Sequence, residues 1–300
     1  MGSSEIGLVT PCFCIALDDS SERVLQEISQ LHHQRGEHAK NISEFLRFSL
    51  AQTDFFPIND SLPQDPTGNS PSNRSDVFAA LVDGKEKVKS LLDGKIIELM
   101  DHSRQIQAGF EGQKDVPFNI FLLADGKDML AGGLLIPIML LVLDTISKRD
   151  SFKLHVLLNA AAFPETDQDK HPDLFVYSLI EELKELTNSE SEYLNKMCEA
   201  LKIDPPRLET TSLYLFHNQK MGAGEVSDNE TMEGMIGNSL LHLLSGNSAQ
   251  QFAQKSARSG RSLPLIGMGT ALVAYDPKAL QEYCSLKKSL EIIDNTPERC

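Results

Sequence analysis

Two apolar runs, "VPFNIFLLAD" (116–125) and "FKLHVLLNAA" (152–161), constrain this chain more than any other feature. A strand wet on one face alternates apolar with polar residues. A run with little alternation is what a strand needs when both of its faces are covered. Between the two lies a third apolar stretch, "MLAGGLLIPIMLLVL" (Met129–Leu143), with Pro137 inside it. A span of the bilayer needs about 20 apolar residues, so fifteen predict a buried element rather than a membrane crossing. We read 134–148 as helical, with Pro137 in the first turn, where its missing N–H costs nothing. Strand, helix, strand is the arrangement that joins parallel neighbours.

The same alternation runs through the chain. "CFCIAL" (12–17) reads as a strand and "SERVLQEISQLHHQ" as a helix, with Val24, Leu25, Ile28 and Leu31 on one face. "FLRFSLA" (45–51) is a further strand, and "TSLYLFHNQ" (211–219) and "PLIGMGTALVAY" (264–275) complete the set. Helices are expected over "VFAALVDGKEKVKSLLDG", "KIIELMDHSRQIQAG", 174–187, 192–203, 229–244 and, after Pro277, "KALQEYCSLKKSLEII". The expected fold class is α/β, a mostly parallel sheet flanked by helices on both faces. Residues 1–300 are read as a single domain. The stretch 53–76, rich in Pro, Asn, Ser and Asp, is expected to be a long flexible loop or insert.

Charge removes some classes of partner. Twenty-eight basic against 43 acidic residues give a net charge of −15, and no cluster of Lys and Arg appears that could neutralise phosphates. Nucleic acid and anionic membranes are therefore not expected partners. Ten acids and three lysines fall between Glu165 and Glu199, a pattern that suits a solvated helix face. Five cysteines without framework spacing suit a reducing compartment. The polar first residues predict no signal peptide, and Ile6 stands where a myristoylation signal needs Ser or Thr. A cytoplasmic location is expected.

The order of elements resembles that of the tubulin/FtsZ superfamily, and more closely its bacterial tubulin-like branch. "IALDDSSERVL" (15–25) occupies the place of that family's GLGGTG loop, and "FSLAQTD" (48–54) is similar to the end of its next strand. "VPFNIFLLAD" resembles the strand leading into the GGTGSG loop, and "FKLHVLLNAAAFPE" the strand ending in a Pro-Glu turn. "VYSLIEELKEL" (176–186), "TSLYLFHNQ" and "LIGMGTALVAYDPKALQEYCSLKKSLEII" resemble the later helices and strands. The resemblance implies a GTP site at the first-strand loop and a role in assembly, with itself or with another protein.

The departures fall on the nucleotide-binding positions. A phosphate loop uses glycine so that the backbone can turn tightly and aim its N–H groups at phosphate oxygens. Here Asp18, Asp19, Ser20 and Ser21 stand in that place, with side chains that would fill the cradle and charge that would repel a triphosphate. The second loop keeps Gly126, Gly132 and Gly133 but lacks the GGTGSG run, and Asn218 is the polar remnant that could face a base. Lys127 could meet a phosphate, but the sequence around it lacks the rest of a P-loop. Two readings of the acidic pair stay open: Asp18 and Asp19 close the old site, or they recruit Mg²⁺ to reuse it with GTP. A plainer role is available too, with Asp19 or Ser20 capping the following helix.

Other chemistries find no anchor. His32, His33 and His38 cannot converge on one helix face, and HExxH and CxxC spacings are missing. Cys12 and Cys14 share one side of a strand and read as small buried hydrophobes. No nucleophile, base and orienting residue can be grouped. The expected function is a non-catalytic tubulin-like assembly protein with a degenerate GTP site and no cofactor. The alternatives are an atypical Mg²⁺-dependent GTP-binding protein and an unrelated doubly wound α/β enzyme.

Overall fold

A computed structural model describes residues 11–34, 43–58, 71, 73–107, 118–147, 152–161, 172–186, 191–206, 208, 211–217, 229–244 and 265–268. The chain divides into two compact units, Met1–Met268 and Gly269–Cys300, and every described residue belongs to the first. The expected last helix and the end of the last strand lie outside the described residues.

In chain order the elements are β1 (Cys12–Ala16), α1 (Asp19–His33), β2 (Ser43–Ser49), β3 (Asp54–Pro57), α2 (Arg74–Gln107), β4 (Phe118–Asp125) and α3 (Met129–Ile146). They continue with β5 (Phe152–Asn159), α4 (Pro172–Glu185), α5 (Glu192–Leu201), β6 (Thr211–Phe216), α6 (Asn229–Leu243) and β7 (Leu265–Met268). The seven strands form one sheet in the order β3-β2-β1-β4-β5-β6-β7, parallel except for the antiparallel β2–β3 pair. The α/β class is therefore the observed one.

Side-chain alternation splits the core into two layers. Phe13 and Ile15 of β1, Leu122 of β4 and Val156 of β5 pack with α2, α3, α4 and α5. Cys12, Cys14 and Ala16 of β1, Phe121 of β4 and Tyr214 of β6 face the other way, onto Val24, Leu25 and Ile28 of α1 and Met232, Ile236 and Leu240 of α6. Burial pushes the Cys14 thiol well above its usual range, with Cys12 adding to the effect, so the pair behaves as apolar packing. The stripe of α1 continues through His32, fully buried against Phe45, and not through Leu31, which is 39% exposed. His32 follows Ile28 by one full helical turn, whereas Leu31 lies to one side of that line.

Three expectations change. The two helices expected on either side of Gly94 are one 34-residue helix, α2, about 51 Å long at 1.5 Å per residue. Its buried stripe Val77, Leu81, Lys85, Val88, Leu92, Ile96 and Leu99 runs at helical spacing straight across Gly94, and that packing outweighs one unfavourable residue. Lys85 holds a core position by sending its amine to the Ala200 carbonyl at 3.2 Å. Within the expected insert, residues 54–57 form the edge strand β3, because Phe55 finds a buried place against Phe48 and Phe13.

The third change concerns α3, which starts at Met129 rather than near 134, leaving Pro137 inside it. Asp128 makes the early start by accepting from the Ala131 N–H at 2.8 Å. Pro137 has no N–H to give the Gly133 carbonyl, and its ring crowds that turn. On the adjacent carbonyl of Gly132 the Arg74 guanidinium donates at 2.8 Å. Among the described residues α3 is the one helix long and apolar enough to cross a membrane, yet 78% of its apolar window is buried inside the protein. It is the central helix of the larger core layer.

One polar chain crosses the α1/α6 layer. His155 is fully buried, stacked on Phe121, with Nε2 donating to Asn119 Oδ1 at 3.1 Å and Nδ1 accepting from the Tyr214 hydroxyl at 3.3 Å. Burial holds the imidazole neutral, taking its pKa down to about 3, with Lys153 adding to the effect.

Two glycines test the helix packing in opposite directions. A Cβ on Gly133 would lie 2.7 Å from Val77 Cγ1 and 3.1 Å from the Arg74 carbonyl oxygen, whereas one on Gly94 would meet nothing within 4 Å. Gly133→Ala is expected to destabilise by about 1–3 kcal/mol through overpacking. Gly94→Ala should stabilise by about 0.5–1 kcal/mol through helix propensity. Urea unfolding of the two variants beside the parent checks both signs.

Candidate functional site

Parallel sheets bind ligands at the carboxyl edge, where the strand order changes direction. In this chain that point lies between β1 and β4. From β1 the chain moves outward to β2 and β3, then returns to β4 on the other side and proceeds to β7. The helix leaving β1 packs on one face and the helix leaving β4 on the other, so the strand ends part at this place.

Asp18 stands in the gap. Its carboxylate is 2% exposed and accepts three hydrogen bonds. Oδ1 takes the Ser21 N–H at 2.8 Å, and Oδ2 takes the Ser21 hydroxyl and the Asp125 N–H, each at 2.8 Å. The first is the N-cap of α1, so the cap is Asp18 and not Asp19 or Ser20. The physical reason is the extended backbone at residue 18, which the helical residues 19 and 20 do not have. The third bond reaches across the gap to the last residue of β4. Burial pushes the Asp18 carboxyl up to about 6, against the pull of its three donors.

Asp19 points the other way. Its side chain is 76% exposed and pairs with Arg47 of β2, which also holds Glu22. The two neighbouring acids thus have different partners, one internal and one at the surface. Ser20 donates to Glu233 Oε1 of α6 at 2.7 Å, and Arg23 meets the same oxygen at 2.5 Å. Burial raises the Glu233 carboxyl, but the Arg23 and Ser20 bonds outweigh it and hold the group below its ordinary value.

A second set of residues continues along the edge. Asp125 Oδ1 accepts from the Lys127 N–H at 2.9 Å, and Oδ2 from the Asn159 side-chain amide at 3.1 Å. Asn159 Oδ1 in turn accepts from the Ala161 N–H at 3.1 Å. Burial raises the Asp125 carboxyl, partly opposed by the Lys127 N–H and charge. Lys127 Nζ donates to Asn229 Oδ1 at the start of α6, 2.9 Å away, and lies 4.0 Å from Asp125 Oδ2. Side chains from the ends of β1, β4 and β5 are therefore stitched one to the next, and α6 is tied to that seam.

Of the residues singled out in the sequence, Asp18, Ser21 and Gly126 meet at this edge. Gly126 donates its N–H to the Asn159 carbonyl at 2.8 Å, and a Cβ there would lie 3.1 Å from that oxygen. Gly132 and Gly133 do not face the edge. They lie inside α3 against Arg74 and Val77 of α2, where their lack of a Cβ lets two helices approach. Asn218 lies outside the described residues. Among the described residues no group of three or more His, Cys, Asp or Glu side chains is placed to hold a metal ion.

Sequence reading missed Asn159, Asn229 and Glu233. The first left a signal, an amide ending the apolar run "HVLLN" at the edge where an α/β sheet carries its chemistry. The other two sit on a helix, and their role depends on how α6 packs against α1.

No family model matches the chain, and no curated protein matches it. Among solved structures it is similar to the Clostridium botulinum phage c-st TubZ, a protein truncated at its C-terminal tail. The identity is 10%, the TM-score 0.41, and the match covers 91% of this chain and 73% of that one. At that level of similarity the chemistry of the edge follows from its own residues.

Replacing Asp18 gives a test with a defined sign. A carboxyl whose folded pKa lies above its unfolded value binds protons more tightly in the native state. Its contribution to stability is complete only well below pH 4 and is lost as pH rises through about 6. The stability of the parent relative to Asp18→Asn should fall by about 2 kcal/mol between pH 4 and pH 7, since each tenfold difference in proton affinity between the two states is worth about 1.4 kcal/mol and the full difference develops only well below pH 4. Denaturant titrations of both proteins across that range read it.

Proposed function

We propose that the chain is a non-catalytic protein of tubulin-like architecture that works through assembly, with itself or with a protein partner. The observation that carries the first half is the Asp18 carboxylate. It takes the donors at the start of α1 and the end of β4 that a phosphate would need. It also places a negative charge, 2% exposed, at that spot.

The residues present fit a nucleoside triphosphate poorly. Asp18 and Asp19 replace the small residues a phosphate cradle requires, and Gly132 and Gly133 serve helix packing. Lys127, the cation at this edge, is engaged with Asn229 and lies beside Asp125. Of the two acids that could carry Mg²⁺ to a phosphate, Asp18 is buried with three hydrogen bonds and Asp19 is paired with Arg47. A fold whose ligand crevice holds its own charges retains its surfaces for contact with other chains. That half of the reading rests on the resemblance of element order to the tubulin/FtsZ superfamily.

Titration calorimetry of the purified chain with GTP and GDP, with and without Mg²⁺, is expected to give no saturable signal at millimolar nucleotide. Sedimentation velocity over a range of concentrations is expected to show association. Submillimolar GTP binding that is lost in Asp18→Ala or Asp19→Ala would overturn the non-catalytic reading. A monomer at every concentration, alone, would count against self-assembly and leave a protein partner as the remaining form.

A further inference from the structure

We infer that α5 is a lid: it opens from the body while the rest of the fold stays intact, and two side chains of α2 clasp it shut over the apolar helix α3. The inference stands apart from the reading of the crevice. Every residue from Ala131 to Leu143 is buried, so the middle of α3 has no wet side. A helix resting on a sheet ordinarily keeps one polar face for solvent. α3 keeps none because other helices lie over it. α5, whose main neighbours are α2, α3 and α4 rather than strands, is part of that cover.

The cover is lightly held. α5 has ten residues, too few for a helix to persist on its own backbone bonds. It buries a single stripe of three side chains, Leu194, Cys198 and Leu201. It ends at Lys202, whose φ of 55° lies in the left-handed region that glycine favours. Polar ties from α2 hold both of its ends. Near the start, the Tyr193 hydroxyl donates to Glu182 Oε2 at 3.0 Å, and Arg74 grips both oxygens of that carboxylate at 3.1 and 2.8 Å. These two charged groups are 20% and 26% exposed, so water competes for the tie. In the last turn the Lys85 amine donates to the Ala200 carbonyl at 3.2 Å, at the negative end of the helix. Arg74 and Lys85 lie three turns apart on α2, about 16 Å, which is close to the length of α5 itself.

Cys198 reports the position of the lid. Its side chain is buried on the inner face of α5, and burial pushes the thiol up to about 11, with Asp144 at the far end of α3 and Asp204 adding to the effect. A shut lid therefore shields it from thiol reagents. Cys12 and Cys14 are fully buried in the other core layer and report opening of the body.

Labelling with N-ethylmaleimide, read peptide by peptide by mass spectrometry, follows each cysteine separately in the parent, Tyr193→Phe, Lys85→Met and Tyr214→Phe. The first two variants each remove one clasp bond and keep the apolar part of the side chain. The third loosens the other layer by removing the hydroxyl that His155 accepts from. In the parent, Cys198 is expected to be labelled about tenfold faster than Cys14, or more, because a local opening costs less than global unfolding. Each clasp variant should speed Cys198 about tenfold, the effect of losing one hydrogen bond to a charged group. Tyr214→Phe should speed Cys14 several-fold and leave Cys198 unchanged. Cys198 and Cys14 labelled at one rate, rising together in Tyr214→Phe, would overturn the inference, because α5 would then leave only when the whole chain unfolds. A Cys198 rate that neither clasp variant alters would overturn it as well. Should Lys85→Met fail to fold, Tyr193→Phe alone decides.

Discussion

A single buried carboxylate bridges the place where the helices of this sheet part. In a doubly wound sheet the two strands at the switch point send their helices to opposite faces, and the backbone N–H groups left at their ends point into a crevice. Those groups must be satisfied by something. In this chain Asp18 satisfies donors on both sides at once. Its bonds cap α1 and tie it to the end of β4, from which Asp125 continues the line to Asn159. The cost is visible in the raised carboxyl pKa, because three hydrogen bonds do not fully repay the removal of the charge from water.

The reading of Asp18 changed between sequence and structure, whereas its position did not. From sequence, the acidic pair stood where a phosphate loop needs glycine, and closure and cation recruitment were both open. The structure separates the pair, one acid inward and one outward. Adjacent residues at a strand-to-helix junction diverge because the first is extended and the second helical. Glycine spacing misled in the second loop for a related reason. Gly132 and Gly133 follow a strand as loop glycines do, but Asp128 starts the helix before them and turns them toward α2.

The sheet itself was legible because continuous apolar runs and period-two alternation are local properties. β1, β4, β5 and β6 fall within a few residues of their expected bounds. β3 was hidden because two adjacent phenylalanines followed by a proline give no period-two alternation. The unbroken α2 was hidden because Gly94 looks like a stop until the buried stripe on both sides is seen to share one phase. The ties from α6 to the seam, Asn229 to Lys127 and Glu233 to Ser20 and Arg23, join residues about 100 to 210 positions apart. No local pattern encodes such pairs.

The most direct test of the central claim is amide hydrogen exchange at Ser21, Asp125 and Gly126, compared between the parent and Asp18→Ala. If Asp18 bridges the gap, the Ser21 and Asp125 amides are strongly protected in the parent and lose that protection together in the variant. The Gly126 amide, bonded to the Asn159 carbonyl, stays protected in both. An Asp125 amide that exchanges as fast in the parent as in the variant would contradict the account, because the switch point would then be open with Asp18 in place.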